Sequence, residues 1–284
     1  MNEEKRSVHI LMSAFIISEM LCVIFANNIM ISGIPVEQYE PFGNQNIVQA
    51  SANSGILVLY VLLFTLFLVI IIKLRLSIVF RGIVVLIPLF LMSSLMLFQI
   101  QILPPQIYFS NNLTNFLIIL SLMFDILVAI SILEGIIIVI NAAFILLTSL
   151  IGSYLAASLA PPTLFVIPVA FALYDIYAVF KGPLKTLIRV KGVKSNKDAK
   201  FINKKFGLLL AHIVGFTIGA GDFIFYSMLV AATFMLKGLI ASLLVAVSIN
   251  VGIILTLILL QKFKRPLPGL PIPITFGILA MLLV

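Results

Sequence analysis

Apolar residues come in nine long blocks separated by short polar breaks, at roughly 8–31, 54–72, 82–102, 113–133, 136–157, 162–180, 217–236, 239–260 and 268–284. A helix needs about 20 such residues to cross the roughly 30 Å hydrocarbon layer of a bilayer, so the pattern predicts an all-α, polytopic membrane protein of nine transmembrane helices. Pro161 and Pro162 suit the first turn of the sixth helix, where a missing N–H is no loss, while Pro88 and Pro168 fall inside spans and need neighbouring helices to satisfy the backbone. The chain shows no internal repeat and no long linker. It reads as one transmembrane domain, 1–284, with spans one to five in 1–157 and spans six to nine in 162–284 around a basic segment at 181–205.

One stretch departs from this pattern. From Phe206 to Leu236 is 31 residues, which as a single helix would run about 46 Å. Splitting it into two spans would invert everything that follows, so residues 206 to about 216 are expected to form an interfacial or re-entrant lead-in. Gly215, Gly219 and Gly221 loosen the approach to the seventh span.

Composition agrees with the pattern. The chain is 62% hydrophobic and 10% charged, with a mean hydropathy of +1.26, more apolar surface than one soluble core could hide. The formal net charge of +8 could suggest nucleic acid, but the basic residues fall where topology places them. Seventeen of the 18 Lys and Arg lie before the first span, between the second and third, between the sixth and seventh, or between the eighth and ninth, leaving only Lys237 opposite. The positive-inside rule then makes the N-terminus cytoplasmic and the C-terminus external, in the cell membrane, with the bilayer and not nucleic acid as the surroundings. The first apolar block, at about 24 residues, is longer than the core of a signal peptide and lacks a small-x-small cleavage site, so it is read as a span. The single cysteine, Cys22, excludes an intramolecular disulfide and reads as a small buried hydrophobe.

Against this background the ionisable residues inside spans stand out. An Asp at the centre of a membrane helix costs about 2.5 to 3.5 kcal/mol on insertion scales, so each is a functional-site hypothesis with a partner to be found. Asp222 lies 15 residues from Lys237, about 22 Å of rise, which puts it about 8 Å from the inner face. Asp175 lies six residues from Lys181, about 9 Å from the same face. Two carboxylates at one depth on neighbouring spans, if they face each other, hold one proton between them and titrate as a unit. That pair can do acid–base hydrolysis, in which the ionised member takes a proton from an attacking water while the protonated member donates to the carbonyl oxygen. No metal or other cofactor is required. The bland alternative is that each Asp merely hydrogen-bonds to a neighbouring helix.

Other chemistries fit less well. Zinc would need a His cluster, and the chain has only His9 and His212, far apart, with His212 read as an interfacial polar residue. A Gly-x-Ser-x-Gly elbow is absent. Glu19 and Asp125 are expected to pair with a neighbouring helix or face water, and they keep open a second reading, a proton- or cation-coupled transporter or channel. Pro268-Gly269-Leu270-Pro271-Ile272-Pro273 should prevent a regular helix start and leave backbone carbonyls unpaired at the depth of the carboxylates, beside protein or a water-filled hollow.

Together, Tyr174-Asp175, Gly219-Ala220-Gly221-Asp222 and Pro268-Gly269-Leu270-Pro271, in that order on the sixth, seventh and ninth spans, resemble the Tyr-Asp, Gly-x-Gly-Asp and Pro-Ala-Leu-Pro motifs of the presenilin and signal-peptide-peptidase family of intramembrane aspartyl proteases. The flanks after Asp175 and Asp222 resemble the presenilin branch. The resemblance covers about residues 164–279, while the first five spans match only in number and polarity. It implies that Asp175 and Asp222 are the catalytic dyad and that Pro268, Leu270 and Pro271 shape the site, with Tyr174, Gly219, Gly221 and Gly269 as the remaining motif positions. The family's usual Ala is Gly269 here, a change expected to matter little sterically and to add backbone freedom. The short basic segment 181–205 implies an unprocessed chain of the archaeal kind, acting on transmembrane helices of substrate proteins without obligatory partner subunits and leaving a homo-oligomer open.

Overall fold

The computed structural model describes residues 3–38, 40–43, 46–74, 76–103, 111–180, 207–213, 216–263 and 267–284. The basic segment 181–205, and with it the expectation of an uncut loop, lies outside the described residues. The described chain forms nine α-helices: α1 (Glu3–Ser32), α2 (Ile47–Lys73), α3 (Ser77–Gln101), α4 (Asn111–Glu134), α5 (Ile137–Ser158), α6 (Pro161–Phe180), α7 (Ala220–Lys237), α8 (Leu239–Phe263) and α9 (Pro271–Leu283). Among the described residues eight of these are long and apolar enough to cross a membrane. The ninth, at 13 residues, spans only about 20 Å, because the proline-rich stretch postpones its start to Pro271. Pro161 opens α6, while Pro88 and Pro168 sit inside α3 and α6 as expected.

The described residues of the lead-in to α7 are not α-helical. A single 3₁₀ turn (Gly207–Leu209) is followed by an antiparallel hairpin, β1 (Leu210–Ile213) with β2 (Phe216–Gly219), in the register Leu210↔Gly219 to Ile213↔Phe216. β2 therefore runs directly into the helix that carries Asp222, which begins three residues later than the apolar pattern suggested.

The centre of the molecule is α7, packed against α1, α5 and α8. Phe223 stacks on Phe15 of α1 with ring centroids 4.0 Å apart and meets Phe144 of α5 edge-on at 5.1 Å, geometries that aromatic quadrupoles favour. Small residues bring the same three helices close: a Cβ on Gly152 would lie 2.6 Å from Ser227 Oγ, and Cys22 Sγ donates to Ser227 O at 3.3 Å. Cys22 is buried, as its sequence context suggested. Hydroxyls within the bundle satisfy carbonyls one turn back, as Ser227 does to Phe223 O at 2.7 Å and Thr233 to Leu229 O at 2.8 Å. Gly238, with φ of +85°, reverses the chain between α7 and α8 in a backbone conformation that a side chain would strain.

Candidate active site

Asp175 lies in the penultimate turn of α6 and Asp222 in the first turn of α7. The residue pair that joins them is Gly269-Leu270, ahead of α9. Asp175 Oδ2 accepts the Leu270 N–H at 3.1 Å, and the Gly269 amide addresses the same carboxylate. The Asp222 carboxylate lies over the α-carbon of Gly269, so that a Cβ there would stand 2.8 Å from Asp222 Oδ2 and 3.2 Å from its Cγ. The two carboxylates also interact electrostatically. Three motifs far apart in sequence thus meet within a few residues of one another.

Two expectations for the 268–271 stretch change. Gly269 is not sterically neutral: a Cβ at that position would stand 2.8 Å from Asp222 Oδ2, so a side chain there requires the carboxylate to shift. Nor are the backbone groups left free. Besides the Leu270 N–H bonded to Asp175, the Gly269 carbonyl accepts the Tyr226 hydroxyl at 2.9 Å. Tyr226 lies one turn beyond Asp222 on α7, so it extends the same helix face toward the same loop, a spacing readable in the sequence. Leu270 is buried, Pro268 and Pro271 are half-buried, and Tyr174 packs half-buried against the core. Gly219 and Gly221 differ from Gly269: a Cβ added at either would meet no described atom within 4 Å, so open space adjoins the chain just ahead of Asp222.

The hairpin is held from α5. Asn141 Nδ2 donates to His212 O at 2.7 Å and Asn141 Oδ1 accepts the His212 N–H at 3.3 Å, so one side-chain amide occupies the outward-facing peptide groups of β1 like a further strand. His212 Nδ1 lies 3.2 Å from its cross-strand neighbour Thr217 Oγ1, and burial keeps its imidazole below the ordinary range. Nothing in the sequence spacing ties Asn141 to His212, 71 residues away. The remaining intramembrane carboxyls stand elsewhere. Asp125 of α4 accepts Ser93 of α3 at 2.5 Å, and Glu19 of α1 accepts Asn250 of α8 at 2.7 Å, each pairing with a neighbouring helix as expected. No group of three or more metal-binding side chains occurs among the described residues.

Residues 194–284 match the sequence profile of the presenilin family. Presenilin-B of Dictyostelium discoideum is 32% identical over 143 residues, 49% of this chain and 29% of its own length. Over these stretches the chain is similar to presenilins. A presenilin homologue of Drosophila melanogaster is 43% identical over 65 residues, 23% of this chain and 12% of that protein; the chain spans less than a third of the length of these curated relatives. Two crystal forms of a presenilin family intramembrane aspartate protease share the fold: one gives a TM-score of 0.60 at 18% identity, covering 96% of each chain, and the other 0.61 at 19%, covering 96% of this chain and 94% of that one. The presenilin-like architecture thus extends over the first five helices, where the sequence resemblance had been limited to number and polarity. It is a multi-pass integral membrane protein.

Proposed function

We propose that this chain is an intramembrane aspartyl endopeptidase in which Asp175 and Asp222 share one proton and activate a water against a peptide carbonyl. The observation that carries this reading is the convergence of both carboxylates on Gly269-Leu270. A pair so placed supplies a general base and a general acid at once, and the ionised member can receive a proton from the water as the other donates to the developing oxyanion. In this reading Tyr226 and Leu270 hold the loop and the first carboxylate in register, Pro268 and Pro271 fix the backbone on either side of Gly269 and Leu270, and Tyr174 buttresses α6 against the core. Gly219 and Gly221 leave room for a substrate strand beside Asp222.

The substrates are transmembrane helices of other proteins, which must unwind before a scissile bond is exposed. Since the Gly269 carbonyl and the Leu270 N–H already have partners, edge pairing with the unwound segment falls to β2, whose far edge leads straight to Asp222. Between α6 and α9 an apolar hollow of about 270 Å³, lined by residues including Ala172, Leu173, Ile176, Ile274 and Ile278, lies along the helix that carries Asp175 and offers a membrane helix a way in. The charge asymmetry sets the N-terminus in the cytoplasm and the C-terminus outside, with the dyad toward the cytoplasmic face. A peptide bond has direction, so the site should favour single-span substrates whose N-terminus is outside and cut them near their cytoplasmic end. A single chain suffices, with no partner subunit required.

The test is to incubate the purified protein in detergent with a labelled transmembrane peptide, then to reconstitute it with two reporters carrying one apolar span in opposite orientations. Fragments in the first case and preferential cutting of the outer-N-terminus reporter in the second are expected. No fragments together with ion flux through the reconstituted protein would favour the transporter, and preferential cutting of the other reporter would overturn the orientation.

A further inference from the structure

Glu19 is the most deeply buried carboxyl among the described residues, 4% exposed in the middle of α1, and the proposed chemistry does not use it. Its neighbours on the same face of α1 locate it. Phe15, one turn earlier, lies 5.6 Å from the Tyr226 ring, and Cys22, one turn later, bonds to Ser227 O. Glu19 Oε2 accepts Asn250 Nδ2 of α8 at 2.7 Å, and the same Nδ2 donates to Ala246 O at 2.8 Å. That second bond fixes the amide's orientation, because a flipped Asn250 would set oxygen against a carbonyl oxygen. Two buried atoms are then left without a partner, Glu19 Oε1 and Asn250 Oδ1. If Glu19 were ionised, both would be acceptors only, an expensive arrangement inside a bilayer. Among the described residues no basic group of the packed elements, whether Arg81 of α3, Lys262 of α8, His212 of β1 or Lys237 of α7, bonds to it; Lys237 is engaged with Met281 O. Tyr226 and Cys22 are the ionisable groups that share its field, with Asp222 beyond Tyr226.

We propose that Glu19 and Asn250 form a second proton-binding site, a neutral acid–amide pair closed by an O–H bond from Glu19 Oε1 to Asn250 Oδ1. One added proton turns the two orphaned acceptors into a donor and an acceptor and completes a planar, two-bond ring. The pair ties α1 to α8 two residues from Gly252, where Pro273 packs so closely that a Cβ would stand 2.6 Å from its α-carbon. Through that contact it positions the start of α9 and the Gly269-Leu270 backbone under the dyad. Glu19 is thus a positioning residue, a role that rests on the protease reading, whereas its proton does not.

Infrared difference spectroscopy of the full-length purified protein at neutral pH, wild type minus Glu19→Gln, reads the proton directly. A protonated carboxylic C=O band in the difference is expected. Ionised-carboxylate bands instead, as for a Glu19 holding a bridging water or a small cation, would overturn the proposal. In cleavage assays Glu19→Ala and Asn250→Ala should each lower kcat about three- to tenfold with little change in KM, and Glu19→Gln, which can form the equivalent amide–amide ring, should recover most of it. Glu19→Gln as impaired as Glu19→Ala would contradict the positioning role. A protonated Glu19 in a chain that cuts no peptide would leave the proton site standing and remove the protease reading alone.

Discussion

Asp222 and Asp175 both reach Gly269, yet the helices that carry them are held differently. α7 lies at the heart of the bundle, more than half of it buried, wedged among α1, α5 and α8 with Phe223 and Tyr226 in aromatic contact on either side of one helical turn. α6 packs on α2 and α9 and meets α7 at few points, among them Phe171 against Phe225 with ring centroids 4.5 Å apart, and α2 is itself mostly exposed. Beside the contact of Phe171 with Phe225, the Leu270 N–H holds Asp175 to the loop next to Asp222. The difference indicates that one carboxylate rides on a helix packed on three sides and the other on a helix joined to it by one ring contact and hydrogen bonds to the loop, beside an apolar hollow. For the proposed protease, such an arrangement supplies a rigid half to keep geometry and an adjustable half to let the substrate in.

The largest expected effect treats the two halves alike. Asp222→Asn or Asp175→Asn removes half of the proton-sharing pair with little change of shape, and each should cut turnover by at least about 10²- to 10⁴-fold while the protein stays folded. A single variant working near the wild-type rate would sink the dyad assignment. On the adjustable side, Ala172→Phe fills the hollow between α6 and α9 and should slow cleavage of membrane-embedded peptides about tenfold, mainly through KM, if helices arrive there; unchanged KM would move the way in elsewhere. Where the halves join, Gly269→Ala sets a methyl group against Asp222, which must shift by a few tenths of an ångström. Replacing 268–271 with alanines does this and frees the loop as well, and losses of about three- to tenfold and more, respectively, are expected. Tyr226→Phe, which deletes one hydrogen bond to Gly269 O, should cost about fivefold. The mildest test leaves activity alone: hydrogen exchange should be slower in α7 than in the Asp175 end of α6, and equal protection would erase the contrast.

Much of this was legible in the sequence. Nine apolar blocks mark the nine described helices to within several residues, and the two aspartates, placed at one depth by counting alone, do converge. The hairpin was not legible because Leu210, Ala211 and Ile213 are apolar and too few to separate a buried strand from a helical lead-in by periodicity. Gly269 misled for a related reason: spacing says which residues are near, and only three-dimensional packing shows Asp222 Oδ2 2.8 Å from where a Cβ would stand. The clamps from Asn141 to His212 and from Asn250 to Glu19 join positions 71 and 231 residues apart. Glu19 stands out in the sequence as a carboxyl in need of a neighbouring helix or water, but nothing in its own run names Asn250 as the partner. The meaning of both clamps depends on satisfying backbone or carboxyl groups that no local pattern announces.

Sharing of one proton between Asp175 and Asp222 is read out by the pH dependence of kcat/KM for cleavage of a single transmembrane peptide. The doubly ionised pair lacks an acid and the doubly protonated pair lacks a base, so a shared proton requires a bell-shaped profile with both limbs abolished in either Asp→Asn variant. A rate that climbs monotonically through alkaline pH would contradict it and point to a different base.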